Sequence, residues 1–174
     1  MSRPTGGEPY RVMTVCTGNI CRSPMAEVVL ADRFARAGLA DVVQVDSTGI
    51  SDEEHGNPID RRAARVLAAH GYPVPVHRAR RARREELAGR DLVLAMTASH
   101  ARDLRAMVPD AAGRVRMYRS FDPAAPGDVP ERHLDVDDPW YGDEAGFELT
   151  LAEIEAAADG VVAHVRAELA AREG

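Results

Sequence analysis

Both cysteines of this 174-residue chain fall in one short run, Val15-Cys16-Thr17-Gly18-Asn19-Ile20-Cys21-Arg22-Ser23-Pro24. Three chemistries could use such a pair: a disulfide, a metal site, or an anion-binding loop that holds a nucleophile. A structural zinc site needs further Cys or clustered His, and the chain supplies neither. The anion loop uses nearly every residue type present. Between a strand and a helix N-terminus, backbone N–H groups and the positive end of the helix dipole attract anions. Gly18 frees the backbone and lets an anion come close. Arg22 offers a planar fork of donors matched to two phosphate oxygens. The same donors would hold Cys16 as thiolate, since such surroundings lower a cysteine pKa to roughly 3.5–7.5. A thiolate in a phosphate cradle is a nucleophile aimed at phosphorus. The plainer alternative is a pair of buried, inert cysteines. For Cys21 it stands beside a second possibility, a redox partner of Cys16.

Displacing an oxygen leaving group from phosphorus calls for a proton donor. Asp137-Asp138-Pro139-Trp140-Tyr141-Gly142 offers one. Proline restricts the residue before it to extended geometry, which limits where Asp138 points. Trp140 and Tyr141 can wall an aromatic ligand and keep water from the acid. Asp-Asp-Pro is also a common turn, and only its pairing with the cysteine loop makes it a catalytic candidate.

The elements that must position these residues alternate between strand and helix patterns. Arg11–Val15 reads as a strand. Pro24–Ala37 reads as a helix with Ser23 as N-cap, Pro24 at the first helical position and Gly38 at its end. Strands follow at Val42–Val45, Asp91–Ala95 and Arg114–Met117. Helices are expected at Ile59–His70, Arg83–Ala88, Ser99–Met107 and Gly146–Ala171, the last bent near Gly160. Loops are expected over Ser47–Pro58 and from Ser120 to about Gly142. Such alternation means one α/β domain of three layers, a four-stranded parallel sheet with helices on both faces. The domain is expected over residues 11–172, behind a flexible N-terminus of residues 1–10. Ligands of such sheets bind at the carboxyl ends of the strands, at a topological switch point, and the cysteine loop follows the first strand.

A net charge of −6 argues against a nucleic-acid or anionic-membrane partner. No apolar run is long enough to span a bilayer. The first ten residues lack the apolar core of a secretory signal. With two cysteines and no disulfide framework, a reducing cytoplasm is expected. Every Lys+Arg position is Arg, which together with abundant Ala points to a GC-rich, bacterial origin and removes lysine-dependent phosphate loops.

Cys16-x5-Arg22-Ser23 near the N-terminus, with Asp138-Pro139 near the C-terminus, resembles the low-molecular-weight protein tyrosine phosphatases. Val45-Asp46-Ser47, His70-Gly71-Tyr72-Pro73, His77-Arg78-Ala79 and Arg116-Met117-Tyr118-Arg119-Ser120-Phe121-Asp122-Pro123 fit the actinobacterial branch. The resemblance implies a two-step reaction without metal or cofactor. Cys16 would take the phosphoryl group, Asp138 would protonate the leaving phenol and then serve as base for water. Arg22 and the loop from Thr17 through Gly18, Asn19, Ile20 and Cys21 to Ser23 would bind the phosphoryl oxygens. The Ser23 hydroxyl would bond the Cys16 sulfur. Asn19 would brace the loop through Ser47 and His77. Phosphotyrosine proteins are the implied partners, with a bacterial tyrosine kinase opposite, and Tyr141 is an implied phosphorylation site. A monomer or weak dimer is expected.

Two departures stand out. The family often has an aromatic residue in the loop after Ser47, where this chain has Ser51-Asp52-Glu53-Glu54-His55-Gly56. Those acids are either a solvated loop or a feature that repels acidic phosphopeptides. The family also usually has Asp after the third strand, where Met96-Thr97 stand here. Among relatives of the fold, thioredoxin-coupled arsenate reductases need cysteines beyond Cys21, and none follows. Protein-arginine phosphatases tend to carry Thr where Ile20 stands; an apolar Ile suits a phenyl ring, so phosphotyrosine is preferred over phosphoarginine. A different class, a phosphate-binding module under redox control, would use a Cys16–Cys21 disulfide to block the nucleophile reversibly. The run Arg78-Ala79-Arg80-Arg81-Ala82-Arg83-Arg84-Glu85-Glu86 reads as a solvated helix start rather than a nucleic-acid site.

Overall fold

The computed structural model describes residues 7–174. Four strands, β1 (Tyr10–Cys16), β2 (Val43–Gly49), β3 (Leu92–Ala95) and β4 (Val115–Met117), form one parallel sheet in the order β2-β1-β3-β4. Five helices join and flank them: α1 (Arg22–Arg36), α2 (Arg61–Ala69), α3 (Arg84–Ala88), α4 (Ala98–Met107) and α5 (Glu144–Glu173).

Successive strand residues face opposite sides of a sheet, and the buried residues divide accordingly. Val12, Cys16, Leu92 and Leu94 join the core under α1, α2 and α5. Met13, Val15, Val93 and Ala95 join the core under α3 and α4, with Leu87, Ala101 and Leu104. Apolar residues on both faces of β1 and β3 are what a sheet covered on both sides requires. The three-layer architecture is therefore the expected one.

The chain leaves β1 toward β2 on one side and later enters β3 on the other. The gap between the carboxyl ends of β1 and β3 is thus the switch point where such sheets bind ligands. The loop Thr17–Cys21 opens there.

Several boundaries differ from the sequence reading. Residues 1–6 of the expected flexible N-terminus lie outside the described residues; Tyr10, by contrast, is in β1, fully buried, and donates to Glu168 at 2.7 Å. Helix α1 starts at Arg22, and Cys21 holds the N-cap position with no side-chain cap. Ser23 is therefore inside the first turn, and its hydroxyl turns to Cys16 and Asn19 instead of capping. β2 runs on to Gly49, so Ser47 is a buried strand residue, not a loop residue. The long connection before α5 contains three short 3₁₀ turns, Tyr118–Phe121, Glu131–Leu134 and Pro139–Tyr141. Helix α5 continues through Gly160 without a break. A Cβ at Gly160 would sit 1.9 Å from the Phe121 carbonyl oxygen, so glycine is there for close approach rather than for a bend.

Candidate active site

The loop from Thr17 to Cys21 is held from below by one asparagine. Asn19 is fully buried with φ 62°, the left-handed region that asparagine tolerates better than most residues. Its Nδ2 donates to Ser23 Oγ at 2.9 Å and to Ser47 Oγ at 3.0 Å, and its Oδ1 accepts from the Arg80 N–H at 3.0 Å. His77 Nε2 donates to the Asn19 carbonyl at 2.6 Å. His77 thus braces the backbone of Asn19, while Ser47 braces its side chain. The sequence reading gave the unusual backbone conformation to Gly18; it belongs to Asn19. At Gly18 the loop packs closely against Glu54, whose side chain would lie 3.1 Å from an added Cβ.

Cys16 ends β1 and is nearly fully buried, with Sγ 3.1 Å from Ser23 Oγ. Ser23 Oγ also accepts from Asn19 and lies 3.1 Å from the Thr48 carbonyl. Its single proton can serve either Thr48 or the sulfur. A thiolate is the stronger acceptor, because hydrogen bonds to ionised groups are roughly twice as strong as neutral ones. Among the described residues, no backbone N–H from Gly18 to Arg22 is engaged by another residue of the chain. Unengaged donors in a loop that lines a pocket with Cys16 are what an anion nest offers.

Arg22 is almost fully buried. Its Nη1 donates to the Val136 carbonyl at 2.9 Å, and its Nη2 lies 3.4 Å from both Thr17 Oγ1 and Asp138 Oδ2. Its Nε is buried without a partner. A buried guanidinium with an unused donor is costly unless an acceptor arrives, and a phosphoryl oxygen is the fitting acceptor in a pocket of this kind.

Asp138 caps the turn Pro139–Tyr141 through Oδ1, which accepts from the Trp140 N–H at 3.0 Å. Its other oxygen faces Arg22. Cys16, Thr17, Gly18, Ile20, Cys21, Arg22 and Asp138 line one open pocket, with Trp140 and Tyr141 at its mouth. The structure therefore brings together residues more than a hundred positions apart in the chain. Glu53 and Glu54 line the same pocket, so they are not merely a solvated loop. The departure at Thr97 is also explained: its hydroxyl caps α4 by accepting from the His100 N–H at 3.1 Å, and Asp135 accepts from the Ala98 N–H at 2.7 Å.

Cys21 is buried, and burial, then the neighbouring carboxylates of Asp60 and Asp138 and the Cys16 sulfur, push its thiol pKa up. It stays protonated beside Cys16. Both cysteines are free. Among the described residues, no group of three or more His, Cys, Asp or Glu side chains is arranged to hold a metal ion.

Two residues near the site escaped the sequence reading. His100 on α4 is buried, and its Nε2 is 2.9 Å from Thr17 Oγ1. Burial, and then the charge of Arg22, lower its pKa to about 4, so it is a neutral imidazole at physiological pH. A signal existed: His100 adjoins Ala101 and precedes Leu104 by four residues, which puts it near the core-facing stripe of its helix. The second, Arg62 at the start of α2, reaches the Trp140 and Gly142 carbonyls. Nothing in its local sequence distinguishes it from its neighbour Arg61.

A parallel α/β sheet with a buried cysteine, unengaged loop amides, a guanidinium and carboxylates gathered in one pocket at its switch point has the make-up of a phosphatase. The family model for low molecular weight phosphotyrosine protein phosphatase matches residues 11–171, and the chain belongs to that family. It is 49% identical over 154 residues to the low molecular weight protein-tyrosine phosphatase A of Mycobacterium tuberculosis, covering 88% of this chain and 90% of that one. It is 46% identical over 165 residues to the low molecular weight protein-tyrosine-phosphatase of Streptomyces coelicolor, covering 94% and 98%. A crystal structure of a protein tyrosine phosphatase from Entamoeba histolytica superposes with a TM-score of 0.83 at 25% identity, covering 91% of this chain and 98% of that one. The enzyme is a protein tyrosine phosphatase; the arginine-phosphatase alternative is not favoured. Its substrates are phosphoproteins. Among the described residues, no helix is long and apolar enough to cross a membrane.

Proposed function

We propose that Cys16 is the nucleophile, Arg22 the phosphoryl clamp and Asp138 the acid and base of phosphotyrosine hydrolysis. The Cys16 thiolate attacks phosphorus, an S–P bond forms, and the P–O bond to the phenol breaks. The phenoxide takes a proton from Asp138. Water then attacks the phosphocysteine, Asp138 takes its proton, the S–P bond breaks and inorganic phosphate leaves. Thr17, Gly18, Asn19, Ile20, Cys21 and Ser23 frame the phosphoryl oxygens, with backbone donors and Arg22 stabilising charge that grows in the transition state. The Ser23 hydroxyl stabilises the departing sulfur in the second step. Ser47 and His77 keep the loop in shape, and Trp140, Tyr141 and Ile20 flank the aromatic ring. The supporting observation is the convergence of Cys16, Arg22 and Asp138 on one pocket.

The test is turnover of aryl phosphates by wild type, Cys16→Ser and Asp138→Asn. Cys16→Ser should be inactive. Asp138→Asn should lose about 10²–10⁴ in kcat/KM on poor leaving groups and much less on activated ones. A rapid denaturing quench in mid-turnover, kept out of acid, should leave phosphorus on Cys16; its absence there would refute the assignment.

Cys21 is assigned as the redox partner of Cys16, supported by two free, buried thiols in the same loop. Peroxide should abolish activity and a thiol reductant restore it, with Cys21→Ser recovering poorly; equal recovery would remove this role. Reduced thiols fit a cytoplasmic setting. A tyrosine kinase acting on the same phosphoproteins is the expected counterpart, and the protein is expected to act as a monomer or weak dimer, without nucleic-acid or membrane partners.

A further inference from the structure

The catalytic roles above require Asp138 to sit at a set height over the cysteine loop, yet Asp138 lies on a segment held by few polar contacts. Upstream it is anchored: the Val136 N–H donates to the Met96 carbonyl at 2.8 Å, Arg22 holds the Val136 carbonyl, and Arg119 holds that of Asp135 at 3.1 Å. Downstream, Arg62 Nη1 donates to the Trp140 carbonyl at 3.2 Å and to the Gly142 carbonyl at 3.0 Å. The same guanidinium stacks 5.4 Å from the Trp140 ring and 4.6 Å from the Phe147 ring.

The other side of Arg62 is fixed to the cysteine loop. Asp60 is the N-cap of α2. Its Oδ1 accepts from Arg62 Nε at 3.2 Å and its Oδ2 from Arg62 Nη2 at 3.1 Å, a two-point fork. Its own backbone N–H donates to the Ile20 carbonyl at 2.9 Å. One unbroken run of hydrogen bonds therefore leads from Ile20 through Asp60 and Arg62 to Trp140 and Gly142.

We propose that Arg62, held by Asp60, is a positioning residue that sets the register of the acid-bearing loop against the cysteine loop. It touches no reacting atom; it acts through Asp138. Arginine is needed because five N–H donors in one plane serve the carboxylate and two carbonyls together, while the flat face covers two aromatic rings. A lysine has the charge but not the fork. Misplacing a catalytic group by about 1 Å can cost about 10²-fold in rate. The cost should fall on the step that uses the acid.

This inference rests on the phosphatase reading, and its test separates the two. kcat/KM is measured for a series of aryl phosphates of graded leaving-group pKa, with wild type, Arg62→Met, Arg62→Lys, Asp138→Asn and the double variant Arg62→Met/Asp138→Asn. Arg62→Met should lose about 10- to 100-fold on phenyl phosphate and much less on p-nitrophenyl phosphate. Arg62→Lys should fall between wild type and Arg62→Met. In the Asp138→Asn background, Arg62→Met should add little further loss. Equal loss on every leaving group, or the same loss with and without Asp138, would overturn the proposal. Should Arg62→Met fail to fold, Arg62→Lys and its double variant with Asp138→Asn carry the same comparison. A wild type that turns over none of these esters would instead remove the phosphatase reading itself.

Discussion

Lowering the pH from 7 to 5 should destabilise this protein by about 2 kcal/mol through His100 alone. The imidazole is buried against Thr17, with Arg22 nearby opposing its protonation and Asp103 and Asp138 favouring it. Its folded pKa is about 4, against an ordinary 6.5. The sign follows from which state takes up the proton. Above pH 6.5 both the folded and unfolded forms hold a neutral imidazole, and the full contribution is present. Between 6.5 and 4 the unfolded chain binds a proton that the folded one refuses, so stability falls with falling pH. With one unit worth about 1.4 kcal/mol, the loss approaches about 3 kcal/mol below both values. At pH 5 about 2 kcal/mol of it is already gone, and at pH 7 almost none. Urea unfolding at pH 7, 6 and 5 for wild type and His100→Gln reads this directly. Glutamine reaches the position of the histidine Nε2 beside Thr17 and does not titrate. Other groups titrate alike in both proteins, so the difference between the two curves isolates His100. It should shift by about 2 kcal/mol from pH 7 to pH 5 in favour of the variant. Parallel curves would refute the reasoning.

Gly160→Ala should destabilise by about 1–3 kcal/mol or more despite alanine's better helix propensity, because the new methyl meets the Phe121 backbone; urea midpoints check it. Asn19→Ala should leave Ser23, Ser47 and the Arg80 N–H short of a partner in the buried brace. Its cost should be about 1–3 kcal/mol in stability, with a larger fractional loss of kcat than of substrate affinity. Glu53→Gln and Glu54→Gln, which remove negative charge from the pocket, should raise kcat/KM for phosphopeptides with acidic flanks, and the gain should shrink at high salt. Turnover of p-nitrophenyl phosphate should change far less.

The sequence by itself determined the layers, and it named the residues proposed to react. Alternating strand and helix patterns specify a covered parallel sheet, because buried strands and amphipathic helices have no other common solution. The cysteine loop was legible because its parts are contiguous: thiol, amides and guanidinium lie within one strand–loop–helix unit. Asp138 was legible from a residue type the chemistry needs and from a resemblance. The rest needed the tertiary structure. That Asn19 and not Gly18 takes the left-handed conformation depends on four partners from Ser23, Ser47, His77 and Arg80. Ser23 serves the sulfur rather than a helix cap because α1 begins two residues earlier than its cap signal suggests. His100 shows only that it faces the core, and Arg62 shows nothing that sets it apart from Arg61, since their partners Thr17, Trp140 and Gly142 lie far along the chain. A hydrogen bond between distant segments is a property of the packed sheet and helices, and neither partner's neighbours in sequence encode it.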